Sequence, residues 1–344
     1  MIINKNFFRI IIPTTIFLIS FIIVDLTLGH FYTPQVSNYR KPHYYYHHDL
    51  RSNISDAQVK WAHQIYKIST NSMGFRDSDA KIINKRKNKY RIILMGDSFT
   101  EGLGVNWEDS FAGILSDQAK NKNIQILNAG TIGYSPKIYY LKTEFLINIK
   151  KLEFDELIVF IDMSDIDNEH MYENYQPNSQ NFINKLIIYA SRYSFILSKV
   201  RQPPALKLNN QGIPFSDNLR KSYKIPTESR DLKNPYILKG FQLAINNMVK
   251  LNQLCLKNNI SLKIIIYPWQ NNIGYKKNIQ EIIWKDFANQ NKIEFLNLFP
   301  AFEKKCKNDG KNCFDLFIPS DPHWSKTGHK FVADKINNFI LNNY

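Results

Sequence analysis

The feature that most constrains this chain of 344 residues is a short apolar run at residues 92–95 (IILM), which ends at Gly96. Four consecutive apolar residues bounded by a glycine are typical of a strand that is buried on both faces of a sheet. Ser98 follows two residues after the glycine, so the pattern places a hydroxyl at the C-terminal end of that strand. Open α/β sheets carry their functional groups at this edge. The sequence therefore predicts a central strand that ends at a reactive serine.

Strand and helix patterns alternate along the rest of the chain. Strands are predicted at residues 91–95, 124–128, 156–161, 262–267 and 294–298, with helical patterns between and after them. Ser135 and Pro136 predict the N-cap and first position of one helix, and Ser325 predicts the cap of the last helix. Alternating strands and helices predict a parallel sheet with helices on both faces.

The first 30 residues differ in composition from the rest. Lys5 and Arg9 precede a nearly unbroken apolar run at residues 10–24, and the stretch 7–28 has about the length of a membrane-spanning helix. A cleaved signal peptide and an uncleaved anchor both fit this pattern, and the lack of a clear small-residue cleavage site favours the anchor. Positive charge on its N-terminal side predicts a cytoplasmic N-terminus with the body of the chain outside.

Two further regions follow this segment. Residues 31–88 are polar and aromatic, and we interpret them as a linker and N-terminal extension; residues 89–344 form the α/β domain, with an insertion at about 168–234. In the insertion, a helical apolar pattern at residues 181–200 predicts core packing, with a lid or a membrane-facing surface as alternatives. In the extension, His43, His47 and His48 lie among tyrosines, which favours a solvated aromatic patch over a metal site.

Charge and cysteine content limit the class of protein. Lys and Arg outnumber Asp and Glu by 45 to 30, but no basic block stands out beyond residues 81–89, so the charge does not indicate nucleic-acid binding. Cys306 and Cys313 bracket a polar loop, which fits either a small disulfide loop in an oxidising compartment or two free thiols in a reducing one. Cys255 lies in an apolar helical pattern and is predicted to be buried.

Two residues near the C-terminus supply what a nucleophilic serine requires. A serine hydroxyl attacks when a base removes its proton, and His323 lies in a loop just before the last helix. Asp321, two residues earlier, can accept the imidazole N–H and stabilise the imidazolium. The pattern therefore predicts a triad of Ser98, His323 and Asp321. His329, on the last helix, is interpreted as a packing residue.

Three sequence blocks resemble the SGNH/GDSL hydrolase superfamily. They are GDSFTEG at residues 96–102, NAGTIGYS at residues 128–135 and DPHW at residues 321–324. Upstream, NSMGFRD at residues 71–77 resembles a segment found in bacterial membrane-anchored members. The resemblance covers about residues 70–344. It implies a three-layer α/β/α sandwich around a five-stranded, mostly parallel, flavodoxin-like sheet.

The resemblance also implies roles for individual residues. Ser98 is expected to be the nucleophile, His323 the base and Asp321 its partner. The backbone N–H groups of Ser98 and Gly133 are expected to donate to the oxyanion, and a glycine suits this role because it allows close approach. Gly130 is the rival for the second donor, and we expect it to serve the turn.

The chain departs from the family in two places. The family has Gly-x-Asn-Asp after the third strand, whereas this chain has DMSD at residues 162–165. Ser164 therefore aligns with the asparagine that donates to the oxyanion, and Asn168 is the alternative donor. One residue separates Asp321 from His323 where most members have two. A related spacing occurs in the alginate O-acetylation proteins, which are acyltransferases.

Two other features have more than one interpretation. Asp162, Asp165 and Asp167 suggest a site for a hard cation, although a polar loop after a strand is the favoured interpretation. Arg76 fits either a carboxylate-binding role or a clamp on the loop beneath the site.

Together these features predict an extracytoplasmic, membrane-anchored serine esterase that uses no cofactor and no metal. It cleaves or transfers an acyl group, with an O-acetyl group on a carbohydrate as the expected substrate and a lipid ester as the competing one. The alternatives are an O-acyltransferase of surface polysaccharide modification and a catalytically weak SGNH-like protein that binds glycans or assists assembly. The expected location is a bacterial inner membrane, crossed once, with the catalytic domain periplasmic or extracellular. The oligomeric state is not predicted.

Overall fold

A computed structural model describes residues 5–32, 39–177, 194–196, 234–273, 278–308 and 313–341. The helical pattern predicted at residues 181–200 lies outside the described residues, except for residues 194–196. Most of the predicted insertion also lies outside them.

The helices of the described chain are α1 (Lys5–Tyr32), α2 (Ser98–Glu101), α3 (Phe111–Gln118), α4 (Pro136–Asn148), α5 (Ser164–Tyr172), α6 (Pro235–Lys257), α7 (Ile279–Asn291), α8 (Phe299–Asn308) and α9 (Lys326–Leu341). The strands are β1 (Arg40–His43), β2 (His47–Leu50), β3 (Ala57–Trp61), β4 (Gln64–Thr70), β5 (Arg76–Asp77), β6 (Tyr90–Met95), β7 (Ile124–Asn128), β8 (Glu156–Ile161), β9 (Ser261–Ile266) and β10 (Glu294–Asn297).

One large sheet has the strand order β10-β9-β8-β6-β7-β5-β4-β3. The strands from β10 to β7 in this order run parallel and are the five strands predicted from the sequence. The next three, β5, β4 and β3, continue the sheet in antiparallel fashion. β1 and β2 form a separate antiparallel hairpin. The predicted α/β fold with a mostly parallel sheet is confirmed, and the sheet is wider than expected because the extension adds strands to it.

Helices cover both faces of the parallel part of the sheet. Ile93 and Met95 of β6 join a core with α4, α6 and α7, whereas Ile92 and Leu94 join a second core with α3, α8 and α9. All four side chains are fully buried. A strand covered on both faces must be apolar at every position, which explains the unbroken run that the sequence shows.

The region interpreted as a linker and extension contains strands β1–β5. In β3 and β4 the buried residues Val59, Tyr66 and Ile68 form a small core, and the neighbouring positions Gln58 and Lys60 are exposed. Because one face of each strand meets water, the region is polar in composition although it is folded. The alternation of period two in β3 and β4 reflects this single exposed face.

The aromatic stretch of the extension is partly packed, contrary to the expected solvated patch, with Tyr46 buried and Tyr44 40% exposed. Tyr46 is 3% exposed and donates to Asp49 Oδ2 at 2.7 Å. The Lys142 ammonium of α4, also fully buried, lies 2.9 Å from Asp49 Oδ1 and 2.9 Å from the Ala129 carbonyl oxygen. Burial disfavours the Asp49 carboxylate, but Lys142 outweighs it and holds the pKa of Asp49 below its ordinary value. This ion pair fastens the extension to α4 and to the loop after β7.

α1 contains a stretch, Ile11–Gly29, that is long and apolar enough to cross a membrane, with a mean hydropathy of 2.2. Its large apolar side chains are exposed, for example Phe17 at 66%. A signal sequence would meet the same criteria of length and composition. The helix therefore fits the predicted N-terminal anchor or signal segment.

The two cysteines of the polar loop, Cys306 and Cys313, form a disulfide. Cys255 is free and buried on α6, and burial raises the pKa of its thiol to about 12. The thiol of Cys255 is therefore protonated and inert, as its apolar context predicts.

Replacement of Lys142 tests the buried ion pair. Lys142→Met leaves the Asp49 carboxylate buried without its countercharge, so we expect the free energy of unfolding to fall by about 3–5 kcal/mol. Chemical denaturation of the full chain in detergent, followed by tryptophan fluorescence, measures this change. Lys120→Met is the control, because its ion pair with Asp117 is exposed. Equal midpoints for the two variants would contradict a structural role for the buried pair.

Candidate active site

Ser98 is the first residue of α2 and lies just beyond the C-terminal end of β6. Asp97 caps the helix, since its Oδ1 accepts the Phe99 backbone N–H at 3.0 Å. The single turn ends at Gly102, whose φ of 80° lies in the left-handed region that glycine tolerates. The GDSFTEG block therefore folds as a tight strand–turn–helix that places Ser98, 7% exposed, at the edge of the sheet.

The His323 ring bridges Ser98 and Asp321. Its Nε2 lies 2.8 Å from Ser98 Oγ, and its Nδ1 lies 2.6 Å from Asp321 Oδ1. The backbone N–H of His323 donates to the same carboxylate oxygen at 3.0 Å. Ile318 closes this loop by donating its N–H to the His323 carbonyl and accepting the Asp321 N–H. The structure thus brings together the hydroxyl, imidazole and carboxylate that the sequence analysis singled out.

The charges at this cluster favour proton transfer from the hydroxyl to the imidazole. Burial disfavours the imidazolium, but the Asp321 carboxylate outweighs burial and raises the pKa of His323 above its ordinary value. Burial likewise opposes ionisation of Asp321, but His323 lowers the pKa of that carboxyl. With Asp321 ionised, the proton of the neutral ring lies on Nδ1, and Nε2 is left as the acceptor for the hydroxyl.

Trp61 of β3 is a further residue at the site, and the sequence analysis missed it. Its indole N–H donates to Asp321 Oδ2 at 3.1 Å. Its ring meets the His323 ring edge to face, with centroids 5.1 Å apart and an angle of 86°. Both oxygens of Asp321 are therefore held, one by the imidazole and one by the indole. Trp61 belongs to no motif, so only the position of β3 in the sheet reveals its contact.

The two backbone N–H groups expected at an oxyanion hole are those of Ser98 and Gly133. Neither donates to an acceptor among the residues that the structure describes. Gly133 has a φ of 75°, in the left-handed region, and is half-buried. The Gly130 N–H, in contrast, donates to Asn128 Oδ1 at 3.0 Å and serves the turn. The Ser98 and Gly133 N–H groups are therefore available to an oxygen atom of a ligand.

The hydrogen bonds of Ser164 do not favour its expected role as a third donor to the oxyanion. Its Oγ lies 2.7 Å from Asp162 Oδ1 and 3.3 Å from Asp97 Oδ2. A hydroxyl has one hydrogen, and the shorter distance directs it to the Asp162 carboxylate. Asn168, the alternative, lies one turn later on α5, with its Nδ2 3.5 Å from the Tyr134 carbonyl oxygen.

The acidic stretch at residues 162–167 is largely helical, since α5 begins at Ser164 where a polar loop was expected. Its carboxylates accept hydrogen bonds from three separate aromatic side chains: Asp162 from Trp269, Asp165 from Tyr139 and Asp167 from Tyr236. Within the described ranges, no group of three or more His, Cys, Asp or Glu residues could hold a metal ion. The cation hypothesis therefore gains no support from the side chains that suggested it.

Asp97 carries a perturbed carboxyl next to the nucleophile. Burial, together with the nearby Asp162 carboxylate, raises the pKa of Asp97 to about 7. Its Oδ1 also accepts the Tyr267 hydroxyl at 3.1 Å. In their ionised forms, Asp97 and Asp162 also raise the pKa of His323.

Arg76 and His329 have structural contacts. The fully buried Arg76 guanidinium donates to the Glu101 carbonyl at 2.7 Å and to the carbonyls of Gly102 and Val105, so it clamps the loop after α2. His329 is buried, and its Nδ1 accepts the backbone N–H of the residue that begins α3 at 3.3 Å. The clamp interpretation of Arg76 and the packing interpretation of His329 agree with these contacts.

Replacement of Asp321 tests the electrostatic link to the imidazole. Asp321→Asn removes the carboxylate that outweighs burial and leaves only Asp97 and Asp162 to favour the imidazolium, so we expect the pKa of His323 to fall from its position above the ordinary value of about 6.5. NMR of imidazole-labelled protein, with His323→Gln for assignment, measures the titration. An unchanged titration midpoint in Asp321→Asn would show that the carboxylate does not set the charge of His323.

No protein-family model and no curated protein matches the chain, but solved structures do. A protein assigned to the G-D-S-L lipolytic family from Desulfitobacterium hafniense is 14% identical, with a TM-score of 0.42, and the match covers 73% of this chain and 100% of that one. The acetyl xylan esterase AlAXEase is 15% identical, with a TM-score of 0.42 and the same coverage of 73% and 100%. The psychrotrophic esterase EstA from Pseudoalteromonas sp. is 12% identical, with a TM-score of 0.42, and coverage is 74% of this chain and 98% of that one. The chain is thus similar to these three solved structures over about three quarters of its length, at 12–15% identity.

Proposed function

We propose that this chain is a serine ester hydrolase of the SGNH/GDSL type. The observation that carries the proposal is the 2.8 Å contact of Ser98 Oγ with His323 Nε2, completed by Asp321 on Nδ1 at 2.6 Å. The nucleophile contacts the base, and the base contacts the orienting carboxylate, which is the arrangement that acyl transfer to serine requires. The Ser98 and Gly133 N–H groups support the proposal, because the tetrahedral intermediate needs donors for its negative oxygen.

In the acylation step, Ser98 Oγ attacks the ester carbonyl carbon while His323 Nε2 takes the hydroxyl proton. Asp321 stabilises the imidazolium that forms, and Trp61 holds the carboxylate in place. Negative charge develops on the carbonyl oxygen, and the N–H groups of Ser98 and Gly133 donate hydrogen bonds to it. The imidazolium then gives its proton to the departing alcohol oxygen, which leaves an acyl group on Ser98.

In the second step, an incoming hydroxyl group resolves the acyl-enzyme. His323 Nε2 removes a proton from water or from an acceptor alcohol, whose oxygen attacks the acyl carbon, and the proton then returns to Ser98 Oγ. Water gives hydrolysis, and a sugar hydroxyl gives transfer. The same residues serve both outcomes, so the access of water to the acyl group decides between them.

An O-acetyl group on a carbohydrate is the proposed substrate, and a bacterial surface is the proposed place of action. The positive charges of Lys5 and Arg9 before the apolar stretch of α1 support an anchor in the inner membrane, with the catalytic domain on the far side. The Cys306–Cys313 disulfide supports the same assignment, because disulfides persist in oxidising compartments.

The spacing of Asp321 and His323 favours acyl transfer as the second candidate function. The hydrogen bond of Ser164 to Asp162 favours the other alternative, a glycan-binding or assembly protein with little catalytic activity, because it occupies a hydroxyl that was expected to donate to the oxyanion. Loss of one such donor lowers the rate of acyl transfer by about 100-fold or more.

Substitution of the nucleophile tests the proposed hydrolysis. We expect the full chain in detergent to release p-nitrophenol from p-nitrophenyl acetate, and Ser98→Ala to lower kcat at least about 1000-fold because no other hydroxyl contacts His323 in the described chain. Ser55→Ala, which changes an exposed serine, is the control. A wild-type protein that is inert and resists labelling by a fluorophosphonate would refute the esterase proposal, and full activity of Ser98→Ala would show that another nucleophile acts.

Comparison of acyl chains and acceptors tests the substrate class. We expect acetate esters to react at least about 10-fold faster in kcat/KM than palmitate esters, since a short acyl group needs only the space around Ser98. Acetyl groups on an added oligosaccharide, detected by mass spectrometry, would identify transfer. A preference for palmitate esters would instead support the lipid substrate.

A further inference from the structure

The peptide unit between Ile132 and Gly133 is held at its carbonyl end by the extension. His48 Nε2 of β2 lies 2.6 Å from the Ile132 carbonyl oxygen. This carbonyl belongs to the same peptide plane as the Gly133 N–H, the proposed oxyanion donor. In a trans peptide the C=O and N–H bonds point in opposite directions, so a contact that fixes the carbonyl also fixes the direction of the N–H.

The chemistry of the contact determines the tautomer of His48. A carbonyl oxygen only accepts, so Nε2 carries the hydrogen and the neutral ring leaves Nδ1 as an acceptor. His47 Nδ1 lies 2.9 Å from His48 Nδ1 and therefore donates to it. Burial lowers the pKa of His48 to about 3, so the ring stays neutral at ordinary pH. Both ring nitrogens of His48 are thus engaged, and it is not a candidate for a second base.

The backbone around His48 is fixed by buried contacts. Tyr134, which follows Gly133 in the chain, donates its hydroxyl to the His48 carbonyl oxygen at 2.8 Å. The next residue, Asp49, is paired with Lys142 at 2.9 Å. The Ile132 N–H on the preceding peptide donates to Glu101 Oε2 at 2.8 Å. The loop that carries Gly133 is therefore hydrogen-bonded to Glu101, which ends α2, and to His48 of β2.

We infer that His48 is a positioning residue for the oxyanion hole, acting through the Ile132–Gly133 peptide. Its Nε2–H holds the Ile132 carbonyl so that the Gly133 N–H stays directed at the developing oxyanion. A hydrogen bond to the carbonyl also polarises the amide, which strengthens its N–H as a donor. The inference rests on the proposed esterase function and assigns to the extension a part of the transition-state stabilisation.

A pair of matched substitutions tests the inference. The amide nitrogen of a glutamine reaches about as far as the imidazole Nε2, whereas that of an asparagine reaches only about as far as Nδ1. We expect His48→Asn to lower kcat for p-nitrophenyl acetate about 10- to 100-fold, with KM changed less than about 3-fold, because a misdirected donor loses much of its effect on the transition state. We expect His48→Gln to stay within about 3-fold of the wild-type kcat.

Tyr45→Phe is the control for general damage to the extension. Tyr45 lies in the turn of the hairpin that carries His48, and its replacement removes only the hydrogen bond to Glu144 Oε2 on α4. The Ile132 carbonyl is untouched, so we expect wild-type kinetics. Wild-type kcat in His48→Asn, or equal losses in the Asn and Gln variants, would overturn the inference.

Hydrogen–deuterium exchange separates this inference from the esterase proposal. Measured by mass spectrometry on the peptide containing residues 131–134, exchange should be at least about 3-fold faster in His48→Asn than in wild type and His48→Gln, because a released loop opens more often. This readout needs no activity. If the wild type proves inert, the esterase proposal fails while faster exchange in His48→Asn still supports the positioning of the loop. Equal exchange in all three proteins would overturn the positioning itself.

Discussion

The buried carboxylate of Glu101 joins the segments on which the candidate site depends. It is fully buried, its Oε1 pairs with Arg40 at 2.6 Å, and its Oε2 accepts the Ile132 N–H at 2.8 Å. A carboxylate without a countercharge costs several kcal/mol to bury, so Arg40 of the extension stabilises α2 in this position. Arg76 of β5 also binds this residue, because its guanidinium donates to the Glu101 backbone carbonyl. The contacts of Glu101 therefore link the helix that begins at Ser98, the loop that carries Gly133 and the extension.

The parallel sheet and its antiparallel addition have different tasks. The carboxyl ends of β6 and β7 lie side by side and bring Ser98 and the Gly133 loop to one edge. That is a general property of parallel strands, and it explains why reactive groups collect there. The extension supplies further contacts: Trp61 of β3 contacts the carboxylate of Asp321, and His48 of the separate β1–β2 hairpin contacts the peptide of the proposed oxyanion donor. The extension thus contacts a candidate site whose proposed reacting groups all lie elsewhere in the chain.

Local patterns account for most of what the sequence predicted correctly. The five parallel strands follow from apolar runs, and the start of α4 follows from Pro136 at the first helical position. The side chain that caps this helix could not be predicted from local sequence. Ser135 was expected to cap it, but its hydroxyl donates to Glu169, which also accepts the Lys137 N–H. The capping group comes from a side chain 34 residues away, and local propensity contains no information about such a partner.

The α/β class, the serine at a strand end and the nearby Asp321 and His323 could all be predicted from sequence, because they follow from patterns along the chain. The partners of several other polar side chains became evident only in the folded structure. Ser164 aligns with a donor asparagine, yet it faces two carboxylates because α5 begins there and carries it toward Asp162. His48 and Trp61 lie in the segment that its composition led us to interpret as a linker and N-terminal extension. Their roles depend on distances across the fold, which the alternation of polar and apolar residues along one strand does not encode.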